Sequence, residues 1–289
     1  MQIFLEQVLN GLTLGAMYAC IAAGQALIFG VARLVNFAHG DIFMVGAYVF
    51  FLLYMVAGVP SPLAVILTAI IMFVFGGLFE RAIVRPIIDK PWYVHLIATL
   101  GASVILSNGA VIVFGTTPKE VPTYFSSTVL DVAGFHLSLQ RIAVLVVAVL
   151  AFLGLHLFLQ RTKTGKAMKA MSQNREACAV VGVDVRRLSA LTFAISCGLL
   201  GLASGVVSPL FNVFPTMGLG LTFKAFAAVI IGGFGQVNGA IYGAFILGLA
   251  EALGAGYIAS DYKDAIAFGV MVLVLLLRPQ GLFGRKVGI

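Results

Sequence analysis

The chain has 289 residues, 61% of them hydrophobic and 10% charged, with a formal net charge of +7 and a mean hydropathy of +1.08. Soluble globular chains carry about 25% charged residues, so the composition excludes a soluble domain and points to a polytopic membrane protein. Cys20, Cys178 and Cys197 show no C-x-x-C pairing and read as buried packing; neither a disulfide framework nor a metal site is expected.

Crossing a hydrocarbon core takes about 20 apolar residues. Runs of that kind lie near 8–30, 41–57, 62–84, 93–115, 139–159, 188–211, 238–257 and 261–278, with a shorter one at 223–235. The expected fold is all-α: a helical bundle of eight or nine membrane segments, at least one broken or re-entrant, forming a single transmembrane domain over 1–289. The first run follows Glu6 rather than a basic region, so it reads as a retained span and not a cleaved leader.

After that run, LVNFAHGDIFMVGAY (34–48) sets Asn36, His39 and Asp41 into an apolar neighbourhood. Ionisable groups are costly in hydrocarbon and tend to mark a pathway. Asn36 or Asp41 is expected to cap the helix that opens here, at the cytoplasmic end of the second span, with Gly40 relaxing the turn and His39 at an inner gate. A proton or ion site, or the acid–base pair of a membrane enzyme, is the competing reading of the same residues. At the end of the third run, Glu80 is read as paired with Arg81.

Residues 116–138, with Glu120, Asp131 and turn-forming Thr, Pro and Ser, form an external loop. The loop 160–187 is basic, and KAMKAMSQNREACAVV within it has near-helical apolar spacing, bounded by Gly165 and Gly182. Such a helix either lies on anionic headgroups or docks into a groove on a cytoplasmic partner. TKTGK lacks the upstream glycine of a phosphate loop, and GGFGQVNG lacks G-x-G-x-x-G spacing, so nucleotide binding by those motifs is excluded and no cofactor is expected in this chain.

Gly201 and Gly205, and the ladder Gly235, Gly239 and Gly243, have the spacing that lets helix backbones approach closely. At about 1.5 Å per residue, Lys224 and Glu251 lie roughly 16 and 20 Å from the turn at 235–238. They read either as a mutual ion pair or as groups facing a path for a zwitterionic solute. HGDIFMVGAY (39–48) and NGAIYGAF (238–245) form a faint internal echo, both opening a span at a cytoplasmic turn. Fourteen of the 18 basic residues fall on one side of the spans, which the positive-inside rule makes cytoplasmic and which puts the N-terminus outside and the C-terminus inside. The charge is therefore topological, and nucleic-acid binding is excluded.

NREACAVVG (174–182) resembles the Glu-Ala-Ala, three residues, Gly loop of ABC importer permeases: Glu176, Ala177 and Gly182 match, Cys178 replaces the second Ala, and the later Ile-x-Leu-Pro is missing. VNFAHGDIFMVGAY, ALTFAISCGLLGLASGV, FKAFAAVIIGGFGQVNGAIYGAFILGLAEAL and LRPQGLFGR together resemble a narrower group, the shorter, H-type permease subunits of high-affinity branched-chain amino-acid ABC importers. That resemblance implies a permease of the bacterial inner membrane that moves branched-chain or hydrophobic amino acids, or related small amides or carboxylates, from periplasm to cytoplasm by alternating access. It implies as partners a second permease subunit, related or identical, two cytoplasmic ATPases and a periplasmic binding protein. It makes 165–182, with Gly165, Arg175, Glu176, Ala177 and Gly182, the contact to the ATPase. Asn36, His39, Asp41, Lys224 and Glu251 are the candidate path residues. An ion-gradient-driven transporter or channel for a small polar solute is the alternative; it has no use for a coupling helix.

Overall fold

The computed structural model describes residues 2–132 and 135–284. In chain order, α1 is Gln2–Ala32, α2 His39–Phe51, α3 Ser61–Phe79, α4 Trp92–Phe114 and α5 Tyr124–Ser127. A small antiparallel hairpin, β1 (Val129–Val132) and β2 (Phe135–Ser138), follows, pairing Val129 with Ser138 and Val132 with Phe135. Then come α6 Leu139–Arg161, α7 Lys163–Gln173, α8 Arg175–Val180, α9 Val185–Val207, α10 Met217–Gly232, α11 Val237–Tyr257 and α12 Lys263–Leu277. The π-helical turns Leu52–Val56 and Glu80–Val84 extend α2 and α3.

Among the described residues, seven helical segments are long and apolar enough to cross a membrane. Two further helices, α10 and α12, have 16 and 15 residues and fall short of a full crossing by length. The apolar run at 223–235 covers the later part of α10 and the start of the turn after it; α10 starts earlier than its apolar pattern suggests because Gly218, Gly220 and Thr222 dilute the first turns.

α1 and α9 are the buried axis of the bundle, whereas α3, α4 and α6 turn Ile66, Ile70, Ile105, Ile112 and Leu150 outward. Apolar side chains facing lipid lose little, so packing between spans depends on close backbone contact. A Cβ on Gly11, Gly15 or Gly248 would strike the facing helix of the α1–α11 pair. Gly76 and Gly201 do the same for α3 against α9, Gly205 sits against Val65 of α3, and Gly232, Gly239 and Gly243 seat α10 on α11. Gly235 is not a rung of that ladder: it lies in the turn between α10 and α11 at φ +73°, a conformation that favours glycine, and faces Gly30.

The loop 160–187 holds two helices instead of one. Asn174, extended at φ −149°, ends α7 and caps α8, its Oδ1 accepting from Ala177 N–H at 3.0 Å. Gly165 is not a terminator: it lies in the first turn of α7, where it allows α7 to fold back against Phe158 and Leu159 of α6. Gly182, at φ +84°, closes α8. Glu80 pairs with Arg85 (3.1 Å), not Arg81, because the π-helical turn brings position i+5 beside it.

Candidate translocation path and coupling surface

The NFAHGD stretch opens the second span, but level with the interiors of α1 and α4 and not with their ends. His39 Nε2 donates to the carbonyl of Ile21 at 3.1 Å, and its ring lies against Gly24, both in the interior of α1 rather than at its end. Asp41 accepts from Ser103 Oγ at 2.5 Å, and Ser103 is the middle of α4. From Ala32 back to Ile21, α1 rises about 16 Å, and residues 33–38, which lead from α1 to α2, are non-helical. The second crossing is therefore non-helical through one half of the bundle, and α2 begins at mid-depth. Irregular backbone survives there only if protein covers it, and Leu34, Asn36, Ala38, His39 and Asp41 are all buried.

The break has a local cause. Arg33 is the one non-glycine residue at positive φ (54°) among those described, and it reverses the chain after α1. Asn36 Oδ1 accepts from Ala38 N–H at 3.1 Å, closing a tight side-chain turn. Neither Asn36 nor Asp41 caps α2, whose N-terminus has no side-chain cap: Asn36 is engaged one step earlier, and Asp41 points across to Ser103. Gly40 does not relax a turn but is already helical. A Cβ there would strike the carbonyl of Gly218 and the hydroxyl of Thr222, and Gly40 N–H donates to Thr222 Oγ1 at 2.9 Å. Because α2 starts at mid-depth and α11 starts at a turn, the two echoing segments do not occupy equivalent levels.

Toward the hairpin end, Lys224 Nζ lies 2.6 Å from Glu251 Oε1, 2.8 Å from Asp264 Oδ1 and 3.1 Å from Tyr18 Oη. Tyr18 in turn donates to Glu251 Oε2 at 2.9 Å. One lysine thus ties α10 to α1, α11 and α12. Above this cluster opens a cavity of about 600 Å³, whose walls include Leu14, Met17, Phe43, Val207, Arg141 and Asp264. At the opposite end a second cavity, about 730 Å³, is bounded by Phe29, Arg33, Lys169, Gln173, Phe234 and Asn238. Fully buried Ile21, Ala22 and Ala23 of α1 lie between the two levels. A row of rings runs from the second cavity inward: Phe29 to Phe234 (centroids 4.8 Å), Phe234 to Phe226 (5.7 Å) and Phe226 to Phe37 (6.2 Å).

A long bundle with a mid-depth break and a cavity at each end is the geometry of a solute path, and comparison with known proteins identifies which kind. Residues 7–275 match the family described as the permease component of branched-chain amino acid transport systems. The chain is 34% identical to the high-affinity branched-chain amino acid transport system permease protein BraD of Pseudomonas aeruginosa, over 98% of this chain and 96% of BraD. It is 32% identical to LivH of Escherichia coli K12 over the same shares. The chain belongs to this permease family. It is a multi-pass inner-membrane transport component of an ABC importer complex, not an enzyme. In fold it is also similar to PsaBC from Streptococcus pneumoniae, at a TM-score of 0.51 and 14% identity over 96% of this chain and 92% of that one.

In this permease the path residues nominated by sequence fall into two groups. Asn36, His39 and Asp41 gather at the mid-depth break, and Lys224 with Glu251 forms the floor of the hairpin-end cavity. Arg175, Glu176 and Ala177 lie on α8, and Gly182 follows it. Val180 and Val181, at the tip of α8, are 88% and 77% exposed, an apolar surface presented by a polar loop. Arg175 reaches Asp89 in the turn after α3 (4.0 Å), and Arg33 Nη2 donates to Gln173 O at the end of α7 (3.4 Å). Ser103, Arg141, Asp264 and Arg33 were not singled out. Ser103 carries no pattern in an apolar helix, and Arg141 and Asp264 open helices at span ends, where charges are ordinary. Nothing in the spacing marks Arg33 as more than a topology charge.

Proposed function

We propose that this permease imports branched-chain and similar hydrophobic amino acids, with ATP hydrolysed on two separate cytoplasmic subunits and solute delivered by a periplasmic binding protein. The observation that carries the reading is the likeness to BraD and LivH over nearly the whole chain. The α7–α8 end is cytoplasmic, because the basic residues between Arg161 and Arg187 belong to it; the hairpin end and the N-terminus are then outside.

A second, related permease completes the pore. α8 seats in an ATPase cleft through Val180 and Val181, with Arg175, Glu176 and Ala177 around them and Gly165 and Gly182 setting its reach. Movement of α7 then pulls on Arg33, which leads directly into the mid-depth break at Asn36, His39 and Asp41. The aromatic row Phe29, Phe234, Phe226 and Phe37 closes the inner side while the outer cavity is open. ATP energy enters this chain only as displacement, so no residue here needs to perform bond chemistry.

The test is reconstitution of the complete complex in vesicles. Leucine uptake should require ATP hydrolysis and binding protein and should persist when proton and sodium gradients are collapsed. Uptake that instead follows the ion gradient and ignores ATP would overturn the reading.

A further inference from the structure

We propose that the outer cavity is a transit site for an aliphatic α-amino acid, in which Arg141 takes the carboxylate. The inference deepens the import reading and rests on it. The pair nominated by sequence has little capacity left for a solute. All three N–H donors of Lys224 face Glu251, Asp264 or Tyr18, and both oxygens of Glu251 are engaged. Arg141 differs. Its Nη1 donates to Asn10 Oδ1, and it has no carboxylate partner among the described residues. A guanidinium has five N–H donors in a planar fork that matches a carboxylate.

Asp264, whose side chain is 57% exposed, lines the same cavity; its Oδ1 is held by Lys224, and its Oδ2 is left as an acceptor for an ammonium group. Leu14, Met17, Phe43 and Val207 line the same cavity and suit a hydrocarbon side chain. An available cation, one carboxylate oxygen not used by Lys224 and apolar walls in one space complement a zwitterion with an aliphatic tail. The volume of about 600 Å³ lies within the range of small-molecule sites, about 300–1,000 Å³. Few contacts in so roomy a space favour passage over capture.

The experiment uses the reconstituted complex with its ATPases and binding protein, comparing wild type, Arg141→Met, Arg141→Lys and Asn10→Ala. Leucine uptake and the ATPase activity stimulated by loaded binding protein are read on the same vesicles. Arg141→Met should lower uptake by about tenfold or more while stimulated ATPase stays within about twofold, which shows intact assembly. Arg141→Lys should recover part of the loss, and Asn10→Ala should cost less than Arg141→Met. Wild-type uptake with unchanged Arg141→Met uptake overturns the inference alone. Equal losses in Arg141→Met and Asn10→Ala mark the two residues as a helix tie and also overturn it, as does parallel loss of stimulated ATPase. A wild-type complex without ATP-dependent leucine uptake overturns the import reading, and this site with it.

Discussion

Lys224 shows what a charge within a span does when its neighbours are known. Sequence placed it level with Glu251 on an adjacent helix, and the structure joins them at 2.6 Å. Asp264 and Tyr18 complete the cluster from parts of the chain whose spacing carries no signal. Removing one member of a buried ion pair leaves the other uncompensated, at a cost of about 3–5 kcal/mol. Lys224→Met should therefore lower the melting temperature of the purified permease complex, and adding Glu251→Gln should restore much of it. A single variant as stable as wild type would show that the cluster does not hold the helices. Asp41 permits a different prediction. Its hydrogen bond to Ser103 can be kept by an amide, so Asp41→Asn should transport leucine at near wild-type rate under ATP. Abolished uptake in a correctly assembled Asp41→Asn complex would revive an ionisable role.

At the level of elements, the apolar runs located the helices well, because a span must satisfy its backbone internally and so writes a long signal. The mid-depth start of α2 was not legible. Six residues in non-helical conformation look, in sequence, like any polar turn between two spans. Only the bonds from His39 to Ile21 and from Asp41 to Ser103 give the depth. The division of α7 from α8 was missed for a related reason: Asn174 falls on the polar face of one continuous apolar periodicity, which hides its capping role. Glycine spacing identified close packing but not partners, and it counted Gly235 as a rung although it is a turn. The partners make a contrast testable. A Cβ on Gly201 would lie 2.8 Å from the Cβ of Met72 and 2.9 Å from the Cα of Ala69, whereas one on Gly109 meets nothing within 4 Å. Gly201→Leu should separate α3 from α9 and sharply reduce the folded yield on size-exclusion chromatography. Gly109→Ala should elute as wild type.

The whole molecule poses the question of how a chain with no nucleotide motif responds to ATP. Its described residues offer one connected route: α8 exposes Val180 and Val181, α7 ends against Arg33, and Arg33 begins the segment that reaches mid-depth. If α8 is the docking element, its apolar tip is desolvated in the ATPase cleft, and burying two valines contributes roughly 1.5–3 kcal/mol each. Placing a carboxylate in that contact both removes the apolar area and leaves a charge without a partner. Val180→Asp with Val181→Asp should therefore abolish co-purification of the ATPase subunits, while the permease itself remains monodisperse in detergent, since neither side chain contributes to its core. Arg33→Ala should act at the next link of the route. The ATPase subunits stay bound and hydrolyse ATP, but leucine uptake per ATP hydrolysed falls by several-fold, because the pull on the break is slackened. Arg33→Gly separates the two features of that residue: it keeps the positive φ and removes the guanidinium. If Arg33→Gly transports with normal stoichiometry, the backbone turn alone transmits the motion. If it fails as Arg33→Ala does, the bond to Gln173 is the link, and the short polar stretch after α1 is the lever on which the permease turns.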